Sequence, residues 1–172
     1  VLAASSQDLA AEQMLASLKA QARGGEDQAA LTSLMTGYAM RKADQQRTAG
    51  DYAGAFDTLS AAFNAAPGDK GLTAALARLC QAGGLKAQAA QVYDALVRMS
   101  PTDADVLLEA ARAAIDAEDW GRAEQRLSLG LKAAPAKAEL YFELGRMEKA
   151  RGHDRAAARA FRTAQSLSPT GA

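Results

Sequence analysis

Gly50-Asp51-Tyr52-Ala53-Gly54-Ala55-Phe56-Asp57-Thr58-Leu59 runs on through Ser60-Ala61-Ala62-Phe63-Asn64-Ala65-Ala66 to Pro67. A glycine–aspartate turn opens this stretch, a small and a large residue follow four apart at Ala55 and Leu59, and a proline closes it. Glycine stops one helix and aspartate caps the next, so the stretch reads as turn, helix, stop. The closing proline recurs at Pro101, Pro135 and Pro169, always 34 residues on. Proline cannot continue a helix interior, so each one punctuates a boundary. A fixed period of this length is the mark of a solenoid of helical repeats.

Other columns keep the period. Ala43, Ala77, Ala111 and Gly145 form one small-residue column, and Ala55, Ala89, Ala123 and Ala157 a second. Four residues after the second column stand Leu59, Tyr93, Leu127 and Phe161. Between the two small columns lie the turns Gly50-Asp51-Tyr52, Gly84-Leu85, Glu118-Asp119-Trp120 and Gly152-His153-Asp154. Small residues on both helices of a unit let their axes approach, and the large residue fills the gap toward the next unit. No unit can bury its apolar face alone, so neighbours stack. The expected fold is all-α, a right-handed solenoid of antiparallel helix pairs with about ten helices and no sheet. The four alanines of the second column are expected at the helix crossings.

Composition agrees. Apolar residues make up 49% of the 172, but aromatics only 5%, and the apolar share is mostly alanine, the best helix former. Lys+Arg and Asp+Glu both number 20. This balance excludes the basic excess with which proteins grip nucleic acid. No apolar run approaches the roughly 18 residues of a membrane helix. The chain begins at Val1, not methionine, and carries no signal peptide, so it reads as a mature or excised piece of something longer.

These features resemble the tetratricopeptide-repeat family over residues 36–169, in four units ending near Pro67, Pro101, Pro135 and Pro169. The second helices and prolines match best. The bulky residue near the start of each unit is Ala39, Thr73, Leu107 and Tyr141, and the late small residue is Ala62, Leu96, Gly130 and Ala164, where Leu96 departs. Residues 26–172 are expected to form the array. Residues 1–25 are expected to hold an irregular helix over 6–23, capped by Ser5 or Ser6 and ended by Gly24-Gly25. A second helix should start near Asp27 and run to about Ala49.

Catalytic chemistry is not apparent. His153 is the only histidine and falls in a turn; Cys80 is the only cysteine and falls in a first helix, where it fills a small core space. One of each cannot make the usual zinc ligand sets. Gly24-Gly25 and Gly83-Gly84 are helix–helix turns, not phosphate loops. Asp103 and Asp105 read as a cap and a first-turn charge, and Trp120 as packing over its turn. No cofactor, no metal and no enzymatic activity are expected.

One column points to binding. Arg78, Arg112 and Arg146 recur at the period, with Asp44 at the equivalent place in the first unit. In the resembled family the first helices line a concave groove, which implies that this column faces it. One turn before lie Met40, Ala74, Leu108 and Phe142; one turn after lie Arg47, Gln81, Ile115 and Lys149; Glu109, Asp116 and Glu143 are close by. The candidate groove residues are Asp44, Arg78, Arg112, Arg146, Glu109, Asp116, Phe142 and Lys149. The competing reading is that the arginines only pair with carboxylates of adjacent units.

Met40, Asp44, Gly71 and Ala75 depart from the lysines and asparagines with which family members hold chaperone C-termini. Three stretches instead resemble the periplasmic repeat region of the C-subunit family of bacterial cellulose synthases: Phe63–Asp69 running into Ala75-Leu76-Ala77-Arg78-Leu79, Ala113-Ala114-Ile115-Asp116 into Trp120-Gly121-Arg122-Ala123-Glu124, and Ala150-Arg151-Gly152-His153-Asp154 with the helix behind it. This resemblance, over most of residues 50–168, implies a periplasmic scaffold between a synthase and an outer-membrane export barrel. Its partners would be proteins of a cell-envelope complex, with a glucan chain as a further ligand. A peptide-binding chaperone or a general assembly platform is the alternative. The far side of the last unit is expected to be uncovered and to favour self-association.

Overall fold

A computed structural model describes the backbone of residues 2–168 and the side chains of residues 8–168. Among the described residues there are nine α-helices and no strand, against the ten or so expected. They are α1 (Leu2–Gln21), α2 (Gly25–Thr48), α3 (Tyr52–Ala65), α4 (Lys70–Ala82), α5 (Lys86–Met99), α6 (Ala104–Asp116), α7 (Trp120–Ala133), α8 (Ala138–Ala150) and α9 (Asp154–Leu167). The 34-residue period governs every boundary from Thr48 onward: second helices start at 52, 86, 120 and 154, and first helices at 70, 104 and 138. Pro67, Pro101 and Pro135 each stand two residues past a helix end, where proline cannot extend the helix behind it. Pro169 lies outside the described residues.

The turns inside each pair are as regular. Gly50, Gly84 and Gly152 take φ of 82°, 73° and 79°, and Glu118, the residue at the same place in the third unit, takes 57°. The cap column that follows is uneven. Asp51 accepts from the Gly54 amide and Asp119 from the Arg122 amide, whereas Leu85 and His153 make no side-chain cap.

The chain divides into two compact units, Val1–Leu72 and Thr73–Ala172. In the first, α2 packs on α3, and Thr58 donates to Gln46 between them at 2.8 Å. Helix α2 begins eleven residues earlier than the period requires, as the unbroken stripe to Ala49 anticipates. Helix α1 starts at Leu2, ahead of the expected cap; the Ser5 and Ser6 side chains lie outside the described residues. It is a regular helix, tied to α2 by Glu12, which takes Lys42 Nζ at 2.7 Å and Tyr38 Oη at 3.1 Å.

In the second unit α5 packs on α6, α6 on α7 and α8 on α9, and α8 also rests on α6 and α7. Its core includes Leu108, Ala111, Ala114, Ile115, Ala123, Leu127, Leu140 and Met147, with Trp120 and Leu144 partly buried against it. Ala89, Ala123 and Ala157, together with Ala55 of the first unit, are buried as the period requires. The large column adapts to the small one. A Cβ on Gly145 would fall 2.5 Å from the ring of Phe161, so the pair that is alanine–leucine at Ala111 and Leu127 becomes glycine–phenylalanine here. Cys80 is fully buried, and burial pushes its thiol pKa up.

Candidate functional site

The arginine column and its carboxylates come together in the second unit as a ladder between α6 and α8. Arg112 on α6 donates Nη1 to Glu109 at 2.6 Å and Nε to Glu143 on α8 at 2.9 Å. Arg146, one turn further on α8, donates Nη1 to the other Glu143 oxygen at 2.7 Å and Nη2 to Asp116 at 3.2 Å. Glu143 is the centre of this chain of charges: its side chain is only 3% exposed and each oxygen takes one guanidinium. Burying a carboxylate is costly unless it is paired and hydrogen-bonded, and both arginines are held in place by that need. Burial pulls the Arg112 and Arg146 pKa values down, but the bonds and charges of Glu143, with Glu109 and Asp116 beside them, outweigh it and leave both above the ordinary value.

Arg78 differs. It is exposed on α4 and makes no ion pair among the described residues, although its charge is felt at Tyr93. Tyr93 donates to Gln81 at 2.9 Å, and burial raises its pKa to about 12. Asp44, in the first unit, pairs with Arg47 at 2.7 Å on the exposed side of α2. Thus the structure brings Glu109, Arg112, Asp116 and Arg146 together, with Glu143 as the shared acceptor, and leaves Arg78 outside the ladder.

Below the ladder lies a cleft of about 430 Å³ whose lining includes Asp116, Arg146 and Lys149 from the expected groove set. Trp120, Phe161 and Lys86 also line it and were not among the expected site residues. Their place was hidden because turn residues and second-helix residues read as packing. The recurrence of an aromatic at Tyr52 and Trp120 was the one available signal. Phe142 is not in this cleft. It lies half exposed nearer the start of α8, one turn before Arg146, with its ring against Phe161, centroids 5.5 Å apart. Among the described residues there is no group of three or more potential metal ligands and no helix long and apolar enough to cross a membrane.

Solved structures share the fold. A MamA protein superposes with a TM-score of 0.69 at 22% identity, covering 78% of this chain and 74% of that one. TTC0263, a thermophilic TPR protein of Thermus thermophilus, gives 0.61 at 20% identity over 78% of this chain and 75% of its own. The fold is that of the tetratricopeptide repeat. No family model matches the sequence of this repeat protein. Among curated proteins it resembles the cellulose synthase operon protein C of Pseudomonas fluorescens (strain SBW25), 29% identical over 130 residues, or 76% of this chain. The protein of the same name from Komagataeibacter xylinus is 28% identical over 123 residues, or 72% of this chain. The repeat chain spans only 10% of the length of the first relative and 9% of the second.

Proposed function

We propose that this repeat protein is a non-catalytic scaffold in a bacterial complex that makes and exports cellulose or a related exopolysaccharide. In this reading residues 26–172 act as one array in the periplasm and link the synthase to an outer-membrane export barrel. The similarity to cellulose synthase operon protein C over 130 residues carries the reading. Binding would use the charged stripe of the first helices. Arg112 and Arg146 keep adjacent repeats in register and offer partners only the outer edges of the ladder, and Arg78 is the leading cation. A glucan chain would be met at the cleft, where Trp120 supplies a ring face and Asp116, Arg146 and Lys149 supply hydrogen bonds.

The test is genetic and biochemical together. Deleting the segment corresponding to residues 26–172 from the parent gene should abolish secreted glucan while membrane vesicles keep their synthase activity. Unchanged secretion would contradict the scaffold role. The sequence has one tryptophan, so the fluorescence of Trp120 reports on the cleft alone. A saturable change with cello-oligosaccharides is expected, and none would remove the glucan from the proposal.

A second reading, peptide binding as in a chaperone or assembly platform, has one observation in its favour. The first unit holds a mostly apolar concavity of about 540 Å³ lined by Leu15, Met35, Ala61 and Ala62, with Lys42 and Glu12 in its wall.

A further inference from the structure

The surface beyond the last repeat can be understood from the same surface one repeat earlier, which α8 covers. Three residues spaced three apart, the N-cap of α8 and two within it, make that interface. Lys137, the N-cap, donates to Asp105 at 2.7 Å. Leu140 is fully buried where Gly130 leaves room: a Cβ on Gly130 would fall 2.8 Å from Leu140 and 3.6 Å from Leu107. Glu143 takes Arg112 Nε at 2.9 Å.

Moved on by one period, each receiving group has a counterpart. Asp105 becomes Glu139, Gly130 becomes Ala164, and Arg112 becomes Arg146. Glu139 is exposed. Phe142 is 50% exposed, whereas Leu108, its counterpart beneath α8, is 5% exposed. Glu139, Phe142, Phe161, Ala164 and Leu167 line a concavity of about 840 Å³. Arg146 repeats the bond of Arg112 to the glutamate three residues before it, and its Nε–H, the group that Arg112 gives to Glu143, has no partner among the described residues.

We propose that this face docks a helix carrying lysine, an aliphatic residue and glutamate at successive third positions, Lys-x-x-(Leu/Ile/Val)-x-x-Glu, in the manner of the first helix of a further repeat. The lysine meets Glu139, the aliphatic residue seats on Ala164 beside Phe142, and the glutamate takes Arg146 Nε. Within the 172 residues this pattern occurs once, at Lys137, Leu140 and Glu143, where it is already buried against α6 and α7. The docking helix therefore comes from outside these residues. The inference rests on the reading of the chain as a repeat scaffold, but it uses neither the cleft nor a glucan.

The probe is a fluorescent peptide reproducing residues 135–153, stapled on its solvent face to hold it helical, and titrated into the intact chain. Saturable binding is expected. Glutamine in place of the peptide's glutamate should weaken it roughly tenfold, the worth of one charged hydrogen bond. On the protein, Glu139→Lys should weaken binding of the unmodified peptide and restore it for a peptide whose lysine is changed to glutamate. No saturable binding, or binding indifferent to both charge changes, overturns the proposal. If the chain alone forms a dimer in sedimentation that the peptide dissolves, the occupant is a second copy and the proposed partner is wrong. The Trp120 titration with cello-oligosaccharides responds to the cleft instead, so the two readings fail separately.

Discussion

Glu118 holds φ at 57° in the third of four equivalent turns, where the other three positions are glycine. A side chain in the left-handed region costs about 1–2 kcal/mol, and glycine gives part of this back through its freer unfolded chain. Glu118→Gly should therefore raise stability by about 0.5–1 kcal/mol, read from the urea midpoint; a loss would mean that the turn is not of the same type. The converse test is Gly145→Ala. Its Cβ would press on the Phe161 ring and should cost roughly 1–3 kcal/mol by overpacking. Adding Phe161→Leu should recover most of that loss, because it recreates the alanine–leucine pair of Ala111 and Leu127. Ala89→Leu, at a fully buried crossing, should cost a similar 1–3 kcal/mol and has no such rescue. These positions were legible as columns in the sequence. The glycine–phenylalanine match was not, because each column was read by itself and the fit between them depends on where one ring turns.

The uneven cap column gives the helices their own tests. Asp51 and Asp119 cap α3 and α7, whereas Leu85 leaves the first amides of α5 without a side-chain acceptor. Leu85→Asp should stabilise by about 1 kcal/mol, seen as a higher melting temperature. Helix α5 also carries Tyr93, whose folded pKa of about 12 lies above the ordinary 10. Its contribution is whole below pH 10 and is lost as the pH rises toward 12. Urea midpoints measured from pH 9 to 12 should fall for the wild type, and Tyr93→Phe should flatten part of that fall. Identical slopes would place Tyr93 in solvent. Helix boundaries were the most readable feature of this chain, since glycine, aspartate and proline mark them at a fixed period. The start of α1 at Leu2 was not, for Ser5 and Ser6 are cap-forming residues that point to a later start. The full burial of Glu143 was not either, since a carboxylate named for its nearness in sequence gives no sign that two arginines, one 31 residues away, close over it.

At the scale of the molecule, a repeat array is stable because neighbours bury each other's faces, so its stability is carried by the contacts between repeats. The Arg112–Glu143 bond is such a contact, joining the first helices of the third and fourth repeats through a buried carboxylate. Contacts between second helices do the same for the second and third repeats, where Asp94 takes Arg126 at 2.8 Å and Arg122 at 3.2 Å. The stacking itself was legible from the period; which charges hold it was not, because the same arginines satisfy both a groove reading and a structural one. A double-mutant cycle with Arg112→Ala, Glu143→Ala and the pair, followed by urea unfolding of the whole chain, tests this most directly. A coupling of about 1–3 kcal/mol is the expected result. Additive losses, within about 0.5 kcal/mol, would contradict the account that these repeats are locked together through Glu143.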